Sequence, residues 1–308
     1  MKNRVYGALG VRALKSNFNA DFTGIPRNLN GQIISTDKAL KFLIRKFWDI
    51  EGKNVFAIKS YNENFNPRTL RERYEHLFGE LSKSENTAEV LNNLFECIDI
   101  KNFGATFAEA GYNFSVTGAV QIGHGINLFD DVHIETLEIL SPYRNPTAKK
   151  DGSERSQTTV GELIIADEAH YFFPFSINPA SYKEFEDVTD FTGYERSDFE
   201  AFKKAGRLAA TAYRSASKNG VDNEFALFIE LKENSKAYIP NLVEHIGFAK
   251  EGDGEKDIID LFNLEFINDI SAEINSIEVY YNPYITCIKE RFNKEFTRKF
   301  NIFTGKEV

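Results

Sequence analysis

The sequence offers few groups of residues that could do chemistry, and one of them lies in the segment "HGINLFDDVH" (124–133). It contains His124, Asp130, Asp131 and His133. On a strand Asp131 and His133 would share one face, and carboxylates with imidazoles can bind a divalent ion. A metal-dependent ribonuclease that uses Asp131, His133 and His124 is therefore one open function class. Because no second ligand cluster accompanies this group, we instead predict no catalytic residue, no metal and no cofactor.

Common enzyme signatures give no support to catalysis either. The sequence has no GxxxxGK[ST], no GxSxG and no HExxH. The "GHG" at 123–125 is too short for a phosphate loop. His170, in "ADEAHYFFPF", is better explained as a packed strand residue than as a base.

The segment "STDKALKFLIRKFWD" (35–49) suggests a different chemistry, contact with a polyanion. Its apolar side chains recur at the i, i+3, i+4, i+7 spacing of a helix that packs on a core, and they are Leu40, Leu43, Ile44 and Phe47. Lys38, Lys41 and Arg45 fall on the opposite face. A helix face that is merely solvated usually carries Glu partners at i, i+4, and this face has none. The pattern favours a face that binds phosphates, with a solvated face as the alternative.

The residues before this helix extend the same surface. "NRVYGALGVRAL" (3–14) alternates between apolar residues and a face of Arg, Tyr and small residues, which predicts a strand. Arg12 or Tyr6 could contact phosphates or stack on bases. In the polar loop 15–32, Asn and Gly could contact RNA or could serve only as turn formers. The order strand, polar loop, basic helix suits a single-stranded nucleic acid.

Charge is distributed unevenly along the chain. The net charge is -9, yet residues 1–46 hold nine Lys/Arg and two Asp, a balance of +7, so the remainder carries -16. Overall acidity disfavours indiscriminate polyanion binding, while a local basic field can still attract one. The net charge therefore does not exclude a nucleic acid.

Periodicity predicts further elements along the chain. Helices are predicted at 68–81, 86–97, 195–219, 255–272 and from about 285. Strands are predicted within 112–128 and at 224–232 and 276–281. 

Residues 141–159, "SPYRNPTAKKDGSERSQTT", predict a long protruding β-hairpin with a basic tip, because both flanks are β-rich. The segment holds Arg144, Lys149, Lys150 and Arg155 and little that could be buried. Fixing each residue costs about 1–2 kcal/mol, so we expect 141–159 to be mobile in the free protein and ordered only in an assembly. A plain disordered surface loop is the alternative.

Bulk properties exclude other classes. A chain of 308 residues with 42% apolar residues can bury a core. We find no secretory signal, and the longest uncharged run, 110–129, holds four glycines and cannot span a membrane. Cys97 and Cys287 are too few for a disulfide framework. We expect a cytoplasmic protein with two inert thiols.

Several stretches, in their order and spacing, resemble a known family. They are "NRVYGALGVRALKSNFNADFTG", "STDKALKFLIRKF", "CIDIKNFGATFA", "TGAVQIGHGINL" and "SQTTVGELIIADEAHYFFPFSINP". Together they are similar to the CRISPR-associated backbone (RAMP, DevR-type) subunits, and most similar to the type I-B Cascade branch. The resemblance runs through residues 1–180 and, more loosely, through the C-terminal strands.

This resemblance implies an α+β fold within a single domain, 1–308. An RRM-like (ferredoxin-like) palm would carry helical fingers (about 15–105) and a β-hairpin thumb (about 138–161). The resemblance also implies a non-catalytic protein that binds CRISPR guide RNA and stacks head to tail with copies of itself. Further implied partners are other Cascade subunits and target DNA, reached by guide pairing. "KNFGATFA" (101–108) only weakly echoes the RNA-binding motif of RRM domains, so base stacking on the sheet is not assumed.

The resemblance and the basic pattern together define the expected RNA-binding residues. They are Arg12, Asn17, Asn19, Arg27, Lys41, Arg45, Lys46, Gln121, His124, Arg144, Lys149, Lys150 and Arg155. The "TDxxxKxxIR" match is what places Lys41 and Arg45 at the family's RNA groove. Type III relatives cleave RNA with an aspartate, whereas type I relatives resemble binding scaffolds, so we expect no catalysis from Asp130, Asp131 or Asp151.

Overall fold

The computed structural model describes residues 1–81, 86–109, 111–144, 157–252 and 255–308. The strands are β1 (Val5–Ser16), β2 (Asn28–Leu29), β3 (Gln32–Ser35), β4 (Gly104–Glu109), β5 (Tyr112–Thr117), β6 (Val120–Ile122), β7 (Gly125–Asn127), β8 (Ile134–Arg144), β9 (Gln157–Ile177), β10 (Val221–Leu231), β11 (Gly247–Ala249), β12 (Asp257–Asp260), β13 (Ile274–Tyr281), β14 (Thr286–Lys289) and β15 (Thr297–Asn301). The α-helices are α1 (Asp37–Ile50), α2 (Leu70–Phe78), α3 (Thr87–Phe95), α4 (Ile98–Phe103), α5 (Lys183–Glu186) and α6 (Arg196–Ala212). Short 3₁₀ helices span Pro179–Tyr182, Leu242–His245 and Phe262–Glu273. 

A large mixed sheet, ordered β15-β13-β10-β1-β9-β7-β3-β2, organises the chain. β1 lies at its centre and pairs antiparallel with both β9 and β10. Helix α1 follows β1, and α6 connects β9 to β10. The elements β1, α1, β7, β9, α6 and β10 therefore form a βαββαβ succession with the spatial order β10-β1-β9-β7.

Both faces of β1 are buried at its centre. Val5, Leu9 and Val11 belong to a core that includes the apolar face of α1, where Leu40, Leu43 and Ile44 have no exposed surface. On the other face, Ala8 is buried in a second core with Phe172, Phe225 and Leu227. The predicted apolar face of β1 is confirmed. Residues 239–279 supply a second layer over the other face, so Ala8 cannot contact a nucleic acid.

Helices α2 and α3 begin and end inside their predicted ranges, and each starts with a capping box, at Thr69 and Asn86 respectively. The predicted helix at 195–219 is shorter and ends at Ala212. Among the described residues, no helix combines the length and the apolar character needed to cross a membrane.

The strand predicted at 276–281 lies within β13, but the two helices predicted in the C-terminal region are wrong. In place of a helix from about 285, β14 pairs in parallel with β12, and β15 pairs in parallel with β13. The stretch 255–272 contains β12 and most of a 3₁₀ helix instead of an α-helix. The helix-forming Lys and Glu of this region are overridden by strand pairing, which local propensity does not register.

Candidate nucleic-acid interface

Three of the four cations on α1 are paired within the chain. Lys41 Nζ lies 3.0 Å from Asp37 Oδ2, and Lys46 Nζ lies 3.4 Å from Asp49 Oδ2. Arg45 Nε donates to Asp99 Oδ2 at 3.1 Å. The prediction of an uncompensated basic face is therefore wrong for Lys41 and Arg45. Their contact with RNA stays a prediction, without the support of an unpaired face.

Asp99 explains why Arg45 is held so firmly. The carboxylate is completely buried, and it also accepts hydrogen bonds from the backbone N–H groups of Phe56 (2.7 Å) and Ala57 (2.9 Å). The Arg45 guanidinium lies over the Phe103 ring at 5.2 Å. Because only 18% of the Arg45 side chain is exposed, this residue ties α1 to α4 and to the segment that precedes α2.

Three predicted residues of the polar loop between β1 and α1 make hydrogen bonds within the chain. Asn17 is buried and donates from Nδ2 to the carbonyls of Gly24 (2.9 Å) and Ile164 (3.1 Å). Asn19 Oδ1 accepts from the backbone N–H of Thr36 at 2.8 Å, directly before α1. Arg27 donates to the Ala20 carbonyl at 3.4 Å. These contacts shape the loop, and they match the turn-forming alternative.

The turn between β6 and β7 is the exposed part of the surface. Gln121 is exposed, and 60% of the His124 side chain is accessible. His124 Nδ1 accepts from the backbone N–H of Asp37 at 3.4 Å, which joins the turn to the start of α1. Lys38, in the first turn of α1, is exposed and has no described partner among the residues that the structure covers. We call Lys38, Gln121 and His124 the α1-turn surface.

Glycines allow this turn to lie directly on β9. A Cβ at Gly123 would approach Pro174 Cγ to 2.8 Å, and a Cβ at Gly125 would approach the Phe173 ring to 2.5 Å. Both distances are shorter than ordinary carbon–carbon contacts, so any larger residue would lift the turn and His124 with it.

A cleft of about 430 Å³ adjoins the α1-turn surface through Gln121. Its polar lining comes from Gln121, Ser176, Asn241 and the half-buried Tyr6, with Pro174 among the apolar residues. Hydroxyl and amide groups beside apolar surface suit ribose and base contacts. The sequence pattern pointed to Tyr6, but nothing in it indicated Ser176 or Asn241, which come from distant segments.

The other predicted residues lie elsewhere or outside the described residues. Arg12 is half-buried and pairs in register with His170 on β9 and Asp222 on β10. Arg144 ends β8, opposite Gln157 on β9, so strand pairing shortens the loop predicted at 141–159. Lys149, Lys150 and Arg155, together with the predicted mobility of the tip, lie outside the described residues. 

The strand β8, which we call the stalk of the β8–β9 hairpin, carries several exposed apolar side chains. Ile134, Leu137, Ile139 and Leu140 on β8 are each 43–56% exposed. A row of exposed apolar side chains on one strand is typical of a surface that another molecule covers.

The metal group considered in the sequence is not assembled. His133 Nε2 lies 3.3 Å from Asp131 Oδ1, but both side chains are at least 70% exposed, and His124 contacts the start of α1 instead. Within the described ranges, three metal-ligating side chains come together at Glu168, His170 and Asp257. As predicted, His170 is packed within its strand, with no exposed surface.

The fold and this surface define an α+β protein with an antiparallel centre and a long hairpin. The family model described as CRISPR-associated protein Cas7 matches residues 3–266, so the chain belongs to the Cas7 family. The expected CRISPR-associated family is thereby confirmed, while the type I-B branch stays a prediction. No curated protein matches the sequence.

One solved structure has a similar fold. A chain of a structure described as "CRISPR RNA-guided surveillance complex, pre-nicking" has a TM-score of 0.55 at 10% identity, with 94% of this chain and 96% of that chain covered. A chain of another "CRISPR RNA-guided surveillance complex" has a TM-score of 0.46 at 12% identity, with coverages of 93% and 95%. At such identities the first likeness shows the fold alone, and the second carries no argument.

Proposed function

We propose that this chain is a non-catalytic CRISPR RNA-binding backbone subunit. Several copies stack head to tail along one guide RNA in a Cascade-type antiviral complex of the type I-B branch, together with other subunits. The guide pairs with target DNA, and the protein holds the RNA backbone without reading its sequence. Membership of the Cas7 family across residues 3–266 is the observation that carries this proposal.

The strand order supports the implied subdivision of the single domain 1–308. The succession β1, α1, β7, β9, α6, β10 with order β10-β1-β9-β7 matches a ferredoxin-like (RRM-like) palm. Residues of about 15–105, apart from the palm helix α1, then form the fingers, and the hairpin of about 138–161 forms the thumb. The apolar stalk of β8 is the surface that the neighbouring copy covers in this arrangement.

The RNA follows the α1-turn surface and the adjoining cleft. His124 and Lys38 contact phosphates, while Gln121 and Asn241 reach ribose hydroxyls. Asn17, Asn19 and Arg27 keep the preceding loop in place. Lys41 remains within reach of a phosphate, because its partner Asp37 lies in the same helical turn, beside His124.

The RNA carried by the native protein provides the direct test. Protein purified from its own cells should carry RNA of uniform length, and incubation of that complex with Mg²⁺ or Mn²⁺ should leave the RNA intact. RNA of random length, or none, would contradict a guide-bound backbone subunit. Cleavage that Asp131→Ala abolishes would instead support the ribonuclease.

A further inference from the structure

A cluster of charged side chains joins the large sheet to the three-stranded sheet β11-β12-β14. Glu168 and His170 come from β9, Glu224 from β10, and Asp257 is the first residue of β12. None of these residues belongs to the α1-turn surface or to the cleft beside it. We call them the β9–β12 cluster.

The His170 ring is fixed from several sides. Its Nδ1 lies 2.7 Å from Glu224 Oε2, and its Nε2 lies 3.1 Å from Glu168 Oε1. The ring stacks on Phe248 with centroids 4.0 Å apart. An imidazole whose Nδ1–H donates to a buried carboxylate, with Nε2 directed at further ligands, is the usual arrangement of a metal-binding histidine.

Asp257 completes a set of three ligands. One ligand atom each from Glu168, His170 and Asp257 lies within 4.8 Å of the others. Tetrahedral zinc with bonds of about 2.0–2.2 Å needs ligand atoms roughly 3.4 Å apart. The 3.1 Å between His170 Nε2 and Glu168 Oε1 is already close to that value, so the half-buried Asp257 needs to move by only about 1 Å.

The cluster is also short of positive charge and of hydrogen-bond donors. Its carboxylates are those of Glu168, Glu224 and Asp257, and the cations beside them are His170 and Lys250. The Lys250 ammonium contacts Glu168. Glu224 is 3% exposed, and its Oε1 has no hydrogen-bond partner among the described residues. Leaving a buried carboxylate oxygen unpartnered is costly. A cation at Nε2 would not ligate this oxygen, because Glu224 contacts Nδ1, but it would offset the negative charge of the cluster.

We propose that Glu168, His170 and Asp257 bind a Zn²⁺ ion, with Glu224 orienting the imidazole. One imidazole and two carboxylates form a donor set that suits zinc. The ion ties β9 to β12 and so fixes the three-stranded sheet on the large one. Lys250 occupies part of this position through its contact with Glu168 and competes with the ion.

Zinc titration of chelator-treated, RNase-treated protein tests this proposal. Isothermal titration calorimetry should give one Zn²⁺ per chain, and Zn²⁺ should raise the thermal unfolding midpoint. Asp257→Asn should abolish both effects.

Glu224→Gln should weaken zinc binding by about 10–100-fold, and Lys250→Gln should strengthen it. Mn²⁺ should bind more weakly than Zn²⁺.

The exposed pair Asp131 and His133 supplies the matched control, because it could bind zinc weakly at the surface. The double variant Asp131→Asn/His133→Gln should keep the full stoichiometry and the full rise in midpoint. Loss of binding in this variant, retention of it in Asp257→Asn, or no binding in the unmodified chain would each overturn the proposal.

Discussion

The basic face of α1 and the turn between β6 and β7 are neighbours, yet they present their polar groups differently. On α1, Arg45 is directed at a buried carboxylate that accepts two further hydrogen bonds. On the turn, Gln121 and His124 remain exposed although their backbone is held flat against β9. A cation that is held by a buried carboxylate, as Arg45 is by Asp99, is thus less available to a ligand than a group on an exposed turn. Some of the predicted RNA-binding residues therefore stabilise the surface through contacts within the chain, whereas others are exposed on it.

Arg45→Ala should give the largest change in stability. It leaves the Asp99 carboxylate buried without its cation, and removing one partner of a buried ion pair costs about 3 kcal/mol. Urea unfolding should show this loss. Lys46→Ala, which removes a more exposed cation of the same helix, should cost less than about 1 kcal/mol. Equal effects of the two changes would mean that Arg45 is an ordinary surface residue.

Asn19→Ala should have an intermediate effect. It removes the oxygen that accepts from Thr36 N–H directly before α1, and the loss of such a contact at a helix start costs about 1 kcal/mol. Asn19→Asp retains an acceptor oxygen and should keep most of the stability. If Asn19→Ala reduced RNA affinity with no change in the unfolding free energy, Asn19 would belong with the exposed group.

Changes on the α1-turn surface should leave stability unaltered and reduce RNA binding. Lys38→Ala should lower the slope of log affinity against log salt concentration by roughly one unit. Gln121→Ala/His124→Ala should weaken binding at every salt concentration. Lys53→Ala is the matched control, since Lys53 is an exposed lysine just beyond the opposite end of α1. An equal loss for Lys53→Ala would indicate nonspecific attraction only.

Replacing 145–156 with a short turn should have the smallest effect on the isolated chain. Strands β8 and β9 remain paired up to Arg144 and Gln157, so the unfolding midpoint should be almost unchanged. Cooperative coating of long RNA should nevertheless weaken far more than the binding of one copy to a short RNA. Electrophoretic mobility assays with both RNA lengths measure the difference, and a parallel loss in both would contradict a role between copies.

Local patterns predicted the elements whose burial follows a regular period. The alternation of β1 marks its apolar face, and the spacing of Leu40, Leu43 and Ile44 marks the buried face of α1. Both predicted elements are correct, although the second face of β1 is buried as well. The hairpin was recognisable because its β-rich flanks pair with each other.

Contacts between distant segments could not be predicted, because a local pattern records only the burial within one helix or strand. Arg45 and Asp99 are 54 residues apart, so the charge pattern of α1 could not reveal the partner. Similarly, β14 and β15 owe their conformation to β12 and β13. In the candidate site, Gln121 and His124 were identified, whereas Ser176 and Asn241 required the folded arrangement.

The two ends of the large sheet bear on how copies can associate. Outside β15, the last residues fold back, and Val308 N–H donates to the Lys299 carbonyl at 3.0 Å. At the opposite end, β2 consists of only Asn28 and Leu29. Within the described part of the chain, neither end of this sheet offers a long row of free backbone groups, a device that prevents edge-to-edge aggregation. The two ends of the sheet therefore disfavour edge-to-edge pairing of copies, which leaves that contact to other surfaces such as the β8–β9 hairpin.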